Sequence, residues 1–349
     1  MRIAQVSPLF ESVPPRSYGG TERVVSYLTE ELVRQGHEVT LFASGDSATR
    51  AELIPCCPRA LRLSGSQQPI AHHVLQIERV LREAPRFDRI HFHVDLLHFP
   101  VARRLRVPHV TTLHGRLDMP DLIPLYDEFR ETPLVSISDD QRRPLPRAGW
   151  RGTVHHGLPG DLYRPGDGSG GYLAFLGRIS PEKGIDRAIA IAEKAGVLLK
   201  IAAKVDPADR DYYETRIRPM LRSRWVEYIG EIGEEEKQEF LGNARALLFP
   251  IDWPEPFGLV MIEAMACGTP VIARRRGSVP EILEEGRTGF LVEDEAGAVK
   301  AVENLSWIDR RRCREEFERR FLASRMARDY LRIYESLRPV DEAALSTAS

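Results

Sequence analysis

Two doubly wound, Rossmann-like α/β domains built on parallel sheets are predicted by three observations. Apolar strand-like runs alternate with amphipathic helical stretches almost throughout, the pattern of parallel strands joined by helical crossovers. At 349 residues and 42% hydrophobic composition, the chain is long enough to bury two cores. Between two such alternations lies Tyr163-Arg164-Pro165-Gly166-Asp167-Gly168-Ser169-Gly170-Gly171, the stretch richest in glycine, which reads as a linker. The expected organisation is a first domain over 1–163, a second over 164–323, a helix over 324–338 and a loose tail over 339–349.

In the first domain the pattern predicts a strand over 3–6, a Pro-rich loop to Gly20, a helix over 21–35 stopped by Gly36, and a strand over 38–43. Further strands are expected over 89–93, 109–112, 134–137 and 153–155. The second domain should hold strands over 172–176, 198–202, 226–229, 246–249, 271–273 and 290–292, with helices over 184–195, 208–221 and 234–243 between them. A short helix over 258–267, ended by Gly268 in a left-handed conformation, is expected before the strand at 271. Phe317, Phe321, Met326, Tyr330, Ile333, Tyr334 and Leu337 recur at three- and four-residue spacings, a packing stripe on the last helical stretch. Open parallel sheets take ligands beyond the carboxyl ends of their strands, so the expected site is a cleft between two such edges.

The formal charge of −2 gives no field to recruit nucleic acid, and small molecules are the expected partners. Cys56, Cys57, Cys267 and Cys313 show no C-x-x-C spacing and fit a reducing compartment. No apolar run approaches the length of a membrane span, and a cytoplasmic location is expected. The clusters Arg103-Arg104-Arg106, Arg142-Arg143 and Arg274-Arg275-Arg276 read as solvated faces, with docking to an acidic membrane surface as the other reading.

The segment most informative about chemistry is Glu255-Pro256-Phe257-Gly258-Leu259-Val260-Met261-Ile262-Glu263. A turn opening a helix at Gly258 presents free N–H groups and positive dipole character, suited to a phosphate. Glu255 lies on the entering loop and Glu263 about two turns along the helix. The two carboxylates would flank the phosphate, as the hydroxyl-bearing rings of a nucleotide-sugar flank its diphosphate. This segment resembles the EPFG and E-x7-E signature of the retaining GT-B glycosyltransferases of family 4. The competing reading is a buried helix with incidental glutamates.

Other positions extend the resemblance over residues 1 to 338. Gly177-Arg178-Ile179-Ser180-Pro181-Glu182-Lys183-Gly184 puts two cations on a loop after a strand, with Ser180 placed to cap the following helix. The family carries a matching Arg and Lys on the donor diphosphate; a surface ion pair with Glu182 is the alternative. Gly19 and Gly20, in Tyr18-Gly19-Gly20-Thr21, fit neither G-x-G-x-x-G nor a P-loop, and by resemblance form the glycine loop facing donor phosphates or acceptor. His114 follows the strand at 109–112, where the family has a histidine touching the donor hexose. His155-His156-Gly157 reads equally as structural or as acceptor-side.

Lys204 ends a strand and could supplement the phosphate clamp, and Ile232 lies on a loop where the family makes backbone contacts to the base. With Phe257, Gly258, Leu259, Val260 and Glu263, these complete the implied donor site. Gly277-Ser278-Val279-Pro280-Glu281 departs from the family's G-G-x-P-E turn at Ser278, which could supply a hydroxyl instead. His91, His93, Asp95 and His98 admit a metal reading, but no cage of further ligands accompanies them and no Asp-x-Asp is present. No metal and no cofactor are expected.

The resemblance implies transfer of a hexose, with retention, from a nucleoside-diphosphate-sugar to a hydroxyl of a glycan, lipid or small molecule. A UDP-sugar is favoured over GDP-mannose. Glu255 would orient the hexose, Glu263 bind ribose, Arg178 and Lys183 stabilise the diphosphate, and His114 position the hexose. A nucleotide-sugar epimerase, a sugar phosphorylase, and a catalytically silent nucleotide-sugar-binding partner are the alternatives. The first-domain loops that shape the acceptor carry no portable code, and peripheral membrane contact stays open if the acceptor is lipid-linked.

Overall fold

The structure is a computed structural model that describes residues 1–16 and 19–338. Tyr18 of the glycine loop and the tail expected over 339–349 lie outside the described residues. The chain divides into two compact units, one of Met1–Gly157 together with the residues from Ala323 onward, the other Leu158–Leu322.

The first unit carries a sheet of seven parallel strands: β1 (Arg2–Val6), β2 (Glu38–Ser44), β3 (Glu52–Cys57), β4 (Arg89–Phe92), β5 (His109–Thr112), β6 (Leu134–Ser136) and β7 (Trp150–Thr153). Their order is β3-β2-β1-β4-β5-β6-β7. The sequence reversal between β1 and β4 is where a doubly wound sheet opens a crevice at its carboxyl edge. Ala4, Val6, Phe42, Val80, Ile90 and Phe92 form a core on one side of this sheet. Helix Ala323–Ser336 belongs to this unit, packing on Gly20–Arg34 and buttressed by a bond from Arg89 Nε to the Tyr334 carbonyl at 2.5 Å.

The second unit repeats the plan with six parallel strands: β8 (Leu173–Arg178), β9 (Leu199–Lys204), β10 (Val226–Gly230), β11 (Ala246–Phe249), β12 (Val271–Arg274) and β13 (Gly289–Val292). Their order is β10-β9-β8-β11-β12-β13, so the reversal falls between β8 and β11. Strand β11 is buried throughout and β8 over 173–175, as near-continuous apolar runs require, while β8 becomes partly exposed toward Arg178. Leu173, Phe175, Ile189, Leu199, Ile201 and Leu248 fill the core between sheet and helices.

Four local expectations differ from what is found. The glycine-rich stretch read as a linker lies inside the second unit: Gly166 N–H donates to Cys267 O at 2.9 Å, and Arg310 Nε donates to Gly166 O at 3.0 Å. Its glycine permits close approach, since a Cβ on Gly166 would sit 2.3 Å from Gly242 O. The strand expected over 153–155 is β7, three residues earlier, paired from Trp150 onto Leu134. Strand β3 has no counterpart in the sequence reading, because it is an edge strand buried only at Ile54 and Cys57, without a two-residue alternation, and carries Pro55. The last helical stretch is two helices, Arg310–Arg320 and Ala323–Ser336, broken where Leu158 N–H donates to Phe321 O at 2.8 Å.

Candidate functional site

Loops leaving the carboxyl ends of β8, β9, β11 and β12 bring together most of the residues singled out in the second unit. Helix Leu259–Ala266 has Gly258 as its N-cap, as expected; that glycine has φ +79° and makes no side-chain cap, so among the described residues no cap side chain meets the first-turn amides. The helix ends at Gly268 in the left-handed conformation, with Gly268 N–H donating to Met265 O at 2.9 Å. Leu259 and Val260 are partly exposed at the helix start, whereas Phe257 is buried with its ring edge-on to Phe321.

Glu255 is 7% exposed. Its Oε2 accepts from Lys183 Nζ and, at 2.9 Å, from the indole Nε1 of Trp253. The same ammonium lies 5.0 Å from the Trp253 ring centroid and 5.8 Å from that of Phe249, an aromatic seat for a cation. The turn after β12 holds the backbone of this loop: Ser278 N–H donates to Glu255 O at 3.0 Å, and Ser278 Oγ donates to Phe257 O at 2.9 Å. The serine that replaces a glycine in the resembled motif thus does supply a hydroxyl, directed at the turn carbonyl. Gly277, at φ +55°, has no room for a side chain, since a Cβ would come within 2.4 Å of Glu255 N.

Glu263, 4% exposed, accepts from Lys237 Nζ at 2.7 Å. Lys237, on helix Glu234–Gly242, was not singled out in the sequence; it is one cation among neighbouring glutamates, and only the packing of two helices turns it inward. The two signature carboxylates are therefore each neutralised by a lysine from a different element.

Arg178 and Lys183, expected to converge, enter different ion-pair groups. Arg178, the last residue of β8, pairs with Glu182 and has Asp209 at 3.3 Å and Asp206 at 3.7 Å. Lys204, the last residue of β9, pairs with Asp206 at 3.0 Å. The ion pair with Glu182 weighed as the alternative for Arg178 is thus formed here. Burial, with Arg178 opposing, raises the carboxyl pKa of Asp209 above its ordinary value. Ser180 makes no side-chain cap; Pro181–Lys183 form a single 3-10 turn, and the α-helix starts only at Ile185 after left-handed Gly184. Ile232 is partly buried on the loop after β10.

In the first unit, Gly19 leads into the helix that begins at Gly20, and Gly19 O accepts from Arg23 N–H at 3.1 Å. His114 lies two residues beyond β5, its Nε2 2.9 Å from His93 Nδ1. His93 Nε2 is 2.9 Å from Gln5 Oε1 on β1. His156 stacks on His114 with ring centroids 5.4 Å apart. Burial holds His114 neutral, with its pKa pushed down to about 3, and also depresses His93 and His156 well below the usual imidazole range.

The remaining histidines on and beyond β4 bond to neighbouring side chains. His91 bridges Tyr334 Oη and Thr112 Oγ1, both at 2.7 Å, and His98 Nε2 meets Thr111 Oγ1 at 2.7 Å. Among the described residues, no three of His, Cys, Asp and Glu cluster in a way that could hold a metal ion. The basic clusters are largely paired: Arg103 with Glu128 and Glu131, Arg142 with Asp139, Arg143 with Asp140, Arg274 with Asp252 and Arg275 with Glu293. Among the described residues no helix is long and apolar enough to cross a membrane.

Two parallel sheets of the same winding, with polar groups at their carboxyl edges and a helix N-terminus between two carboxylates, define the GT-B class. A model of glycosyl transferases group 1 matches residues 167–320, and one of glycosyltransferase family 4 matches residues 18–156. The chain belongs to the family-4 glycosyltransferases.

Among curated relatives, α-maltose-1-phosphate synthase of Mycolicibacterium smegmatis is 32% identical over 41% of this chain and 37% of its own length. Glycogen synthase of Mycobacterium tuberculosis is 26% identical over 87% of this chain and 86% of its own. The matches to the first relatives span less than half of their lengths, 46% of an uncharacterised cps-region protein of Klebsiella pneumoniae being the largest of these. Sucrose-phosphate synthase from Thermosynechococcus elongatus shares the fold at a TM-score of 0.79 and 20% identity, all of each chain being covered. Anabaena Alr3699/HepE, solved with UDP and glucose, does so at 0.74 and 18%, covering 97% of this chain and all of the other.

Proposed function

We propose that this chain transfers a hexose from a UDP-sugar to a hydroxyl acceptor, with retention of anomeric configuration and without a metal ion. The observation that carries the reading is the meeting of Lys183 with Glu255 beside the uncapped N-terminus of helix Leu259–Ala266, at the β8/β11 reversal. An anion held there gains first-turn amides and dipole, and Lys183 supplies charge at the leaving group. UDP is favoured over GDP because structural neighbours include UDP complexes.

In this reading Glu255 orients the hexose hydroxyls, Glu263 accepts from ribose hydroxyls, and Arg178 and Lys204 exchange their carboxylate partners for diphosphate oxygens. Gly258, Leu259 and Val260 meet the phosphates through their backbone and Ile232 meets the base, while Gly19, Gly20 and His114 are the first unit's candidates for contact with substrate. As the bond from the anomeric carbon to the diphosphate oxygen breaks, the acceptor oxygen bonds to that carbon from the same face. The acceptor proton passes to the departing diphosphate, so no outside base is needed.

Thermal-shift and calorimetric titration with UDP, GDP, UDP-glucose and GDP-mannose test the donor. UDP compounds should stabilise the protein, and Lys183→Ala should abolish the effect. An unchanged shift in that variant would remove Lys183 from the site. Proton NMR of the product anomer tests retention, and an inverted anomer would overturn it. Activity that survives exhaustive chelation is expected, and its loss would overturn metal independence.

A further inference from the structure

A buried hydrogen-bond chain in the first unit runs from helix Ala323–Ser336 to His114. Gln5 Nε2 donates to Tyr334 Oη at 3.1 Å, and Gln5 Oε1 stands 2.9 Å from His93 Nε2. His93 Nδ1 stands 2.9 Å from His114 Nε2, and His114 Nδ1 is buried with no partner. Gln5 and His93 are 0% and 1% exposed, so bulk water supplies none of these bonds.

The chain has a direction. An amide oxygen only accepts, so His93 must carry its proton on Nε2. A neutral imidazole has one N–H, which leaves His93 Nδ1 as an acceptor. His114 Nε2 must then donate, and its Nδ1 keeps a bare lone pair. The reverse arrangement needs the Gln5 amide turned over, and it would bury an N–H at His114 Nδ1 with nothing to receive it. A buried donor without a partner is rarer than an acceptor without one. The far end is compatible with this direction: Tyr334 Oη, having accepted from Gln5, can donate to His91 Nδ1 at 2.7 Å, and His91 Nε2 can then donate to Thr112 Oγ1 at 2.7 Å.

We propose that Gln5, His93 and Tyr334 are positioning residues that hold His114 as the neutral Nε2–H tautomer, so that its Nδ1 accepts a hydrogen bond from a sugar hydroxyl of the substrate. This rests on the transferase reading above and adds to it which proton inventory His114 presents. A hydroxyl satisfies the orphaned acceptor, whereas a ligand group that can only accept, such as a phosphate oxygen, is disfavoured there. The C-terminal helix thereby acts on the transfer through two intervening side chains.

Nitrogen-15 NMR of histidine-labelled protein reads the tautomer directly: His114 should show a protonated Nε2 and an unprotonated Nδ1. His93→Leu should lose this signature and lower kcat/KM for UDP release from UDP-glucose about tenfold, the worth of one neutral hydrogen bond. His93→Gln, whose Oε1 can still accept from His114, should recover most of the loss, which a purely structural role of the ring would not predict. Affinity for UDP alone, set in the second unit, should stay unchanged in both. A protonated Nδ1 in the parent protein, or full turnover in a folded His93→Leu variant, overturns the relay. Failure of the parent protein to bind UDP would instead overturn the donor reading, and the NMR tautomer would still decide the relay.

Discussion

Acidification from pH 7.5 to 5.5 should strip several kcal/mol from the first unit. His91, His93, His98 and His156 are buried with pKa values driven well below the ordinary range, chiefly by desolvation, and His114 is pushed down to about 3. A depressed histidine leaves the folded state unprotonated while the unfolded chain takes up a proton below about pH 6.5. Stability is therefore full above that value and falls as pH drops toward the folded pKa. For one such ring the loss at pH 5.5 is about 1.4 kcal/mol, from RT ln(1 + 10). Five independent rings would lose about 7 kcal/mol, within the whole stability of an ordinary domain. The His93–His114 bond of 2.9 Å and the 4.0 Å His91–His93 ring contact couple them, so that sum is a ceiling. Urea titrations at pH 7.5, 6.5 and 5.5, read by hydrogen exchange in peptides covering β4 and β5, should show a fall of at least about 3 kcal/mol, the share of two rings. Carboxylates held low by arginines, such as Asp88 beside Arg2, act only at lower pH, whereas Glu22 and Asp95, raised by burial, add stability as pH falls and offset part of the histidine loss. A profile flat to within one ring's share would refute the account of these histidines as native-neutral.

Two substitutions probe the second unit. Gly277→Ala should lower kcat about a hundredfold with little change in UDP affinity, because its Cβ drives Glu255 N from 2.4 Å and displaces a positioning carboxylate; steady-state kinetics beside UDP calorimetry check it. Lys237→Met should destabilise by about 3 kcal/mol by leaving buried Glu263 without its cation, and Lys237→Met with Glu263→Leu should recover much of this in urea titrations.

The winding of both sheets was legible because buried parallel strands are apolar on both faces and helices carry their own periodicity. Strand ends and the helix at Gly258 were read to within a few residues. Edge strand β3 escaped because Pro55 and the full or partial exposure of most of its residues remove the signal that burial writes into composition. The stretch from Tyr163 to Gly171 misled for the opposite reason: glycine marks close backbone approach as well as flexibility, and only packing tells which. Of the candidate site, positions were readable but partners were not. Lys183 on Glu255, Lys237 on Glu263 and Gln5 on His93 join residues 72, 26 and 88 apart in sequence, and no local pattern encodes such pairs. His93 was noticed for its alternation with His91, which placed the two on β4 and just past its end, whereas its bonds to Gln5 and His114 left no local trace.

The pairing of the cations says what a donor must displace. Among the ion pairs described for Arg178 and Lys204, Glu182, Asp206 and Asp209 set three carboxylates against these two cations before any diphosphate arrives. A diphosphate cannot add its charge to that set; it must take the place of one or more carboxylates. Asp209 is the carboxylate most readily displaced, since its own charged form is already disfavoured by burial although it stands only 3.3 Å from Arg178 Nε. Asp209→Asn removes a repelled charge while keeping size and a hydrogen-bonding group, and should tighten UDP binding about tenfold at 0.1 M salt, about 1.4 kcal/mol, with a smaller gain as salt rises. Calorimetry of UDP at two ionic strengths checks it. Equal or weaker binding in the variant would mean that Arg178 keeps its carboxylates when the nucleotide is bound, and that the diphosphate is held by Lys183 and the helix amides alone.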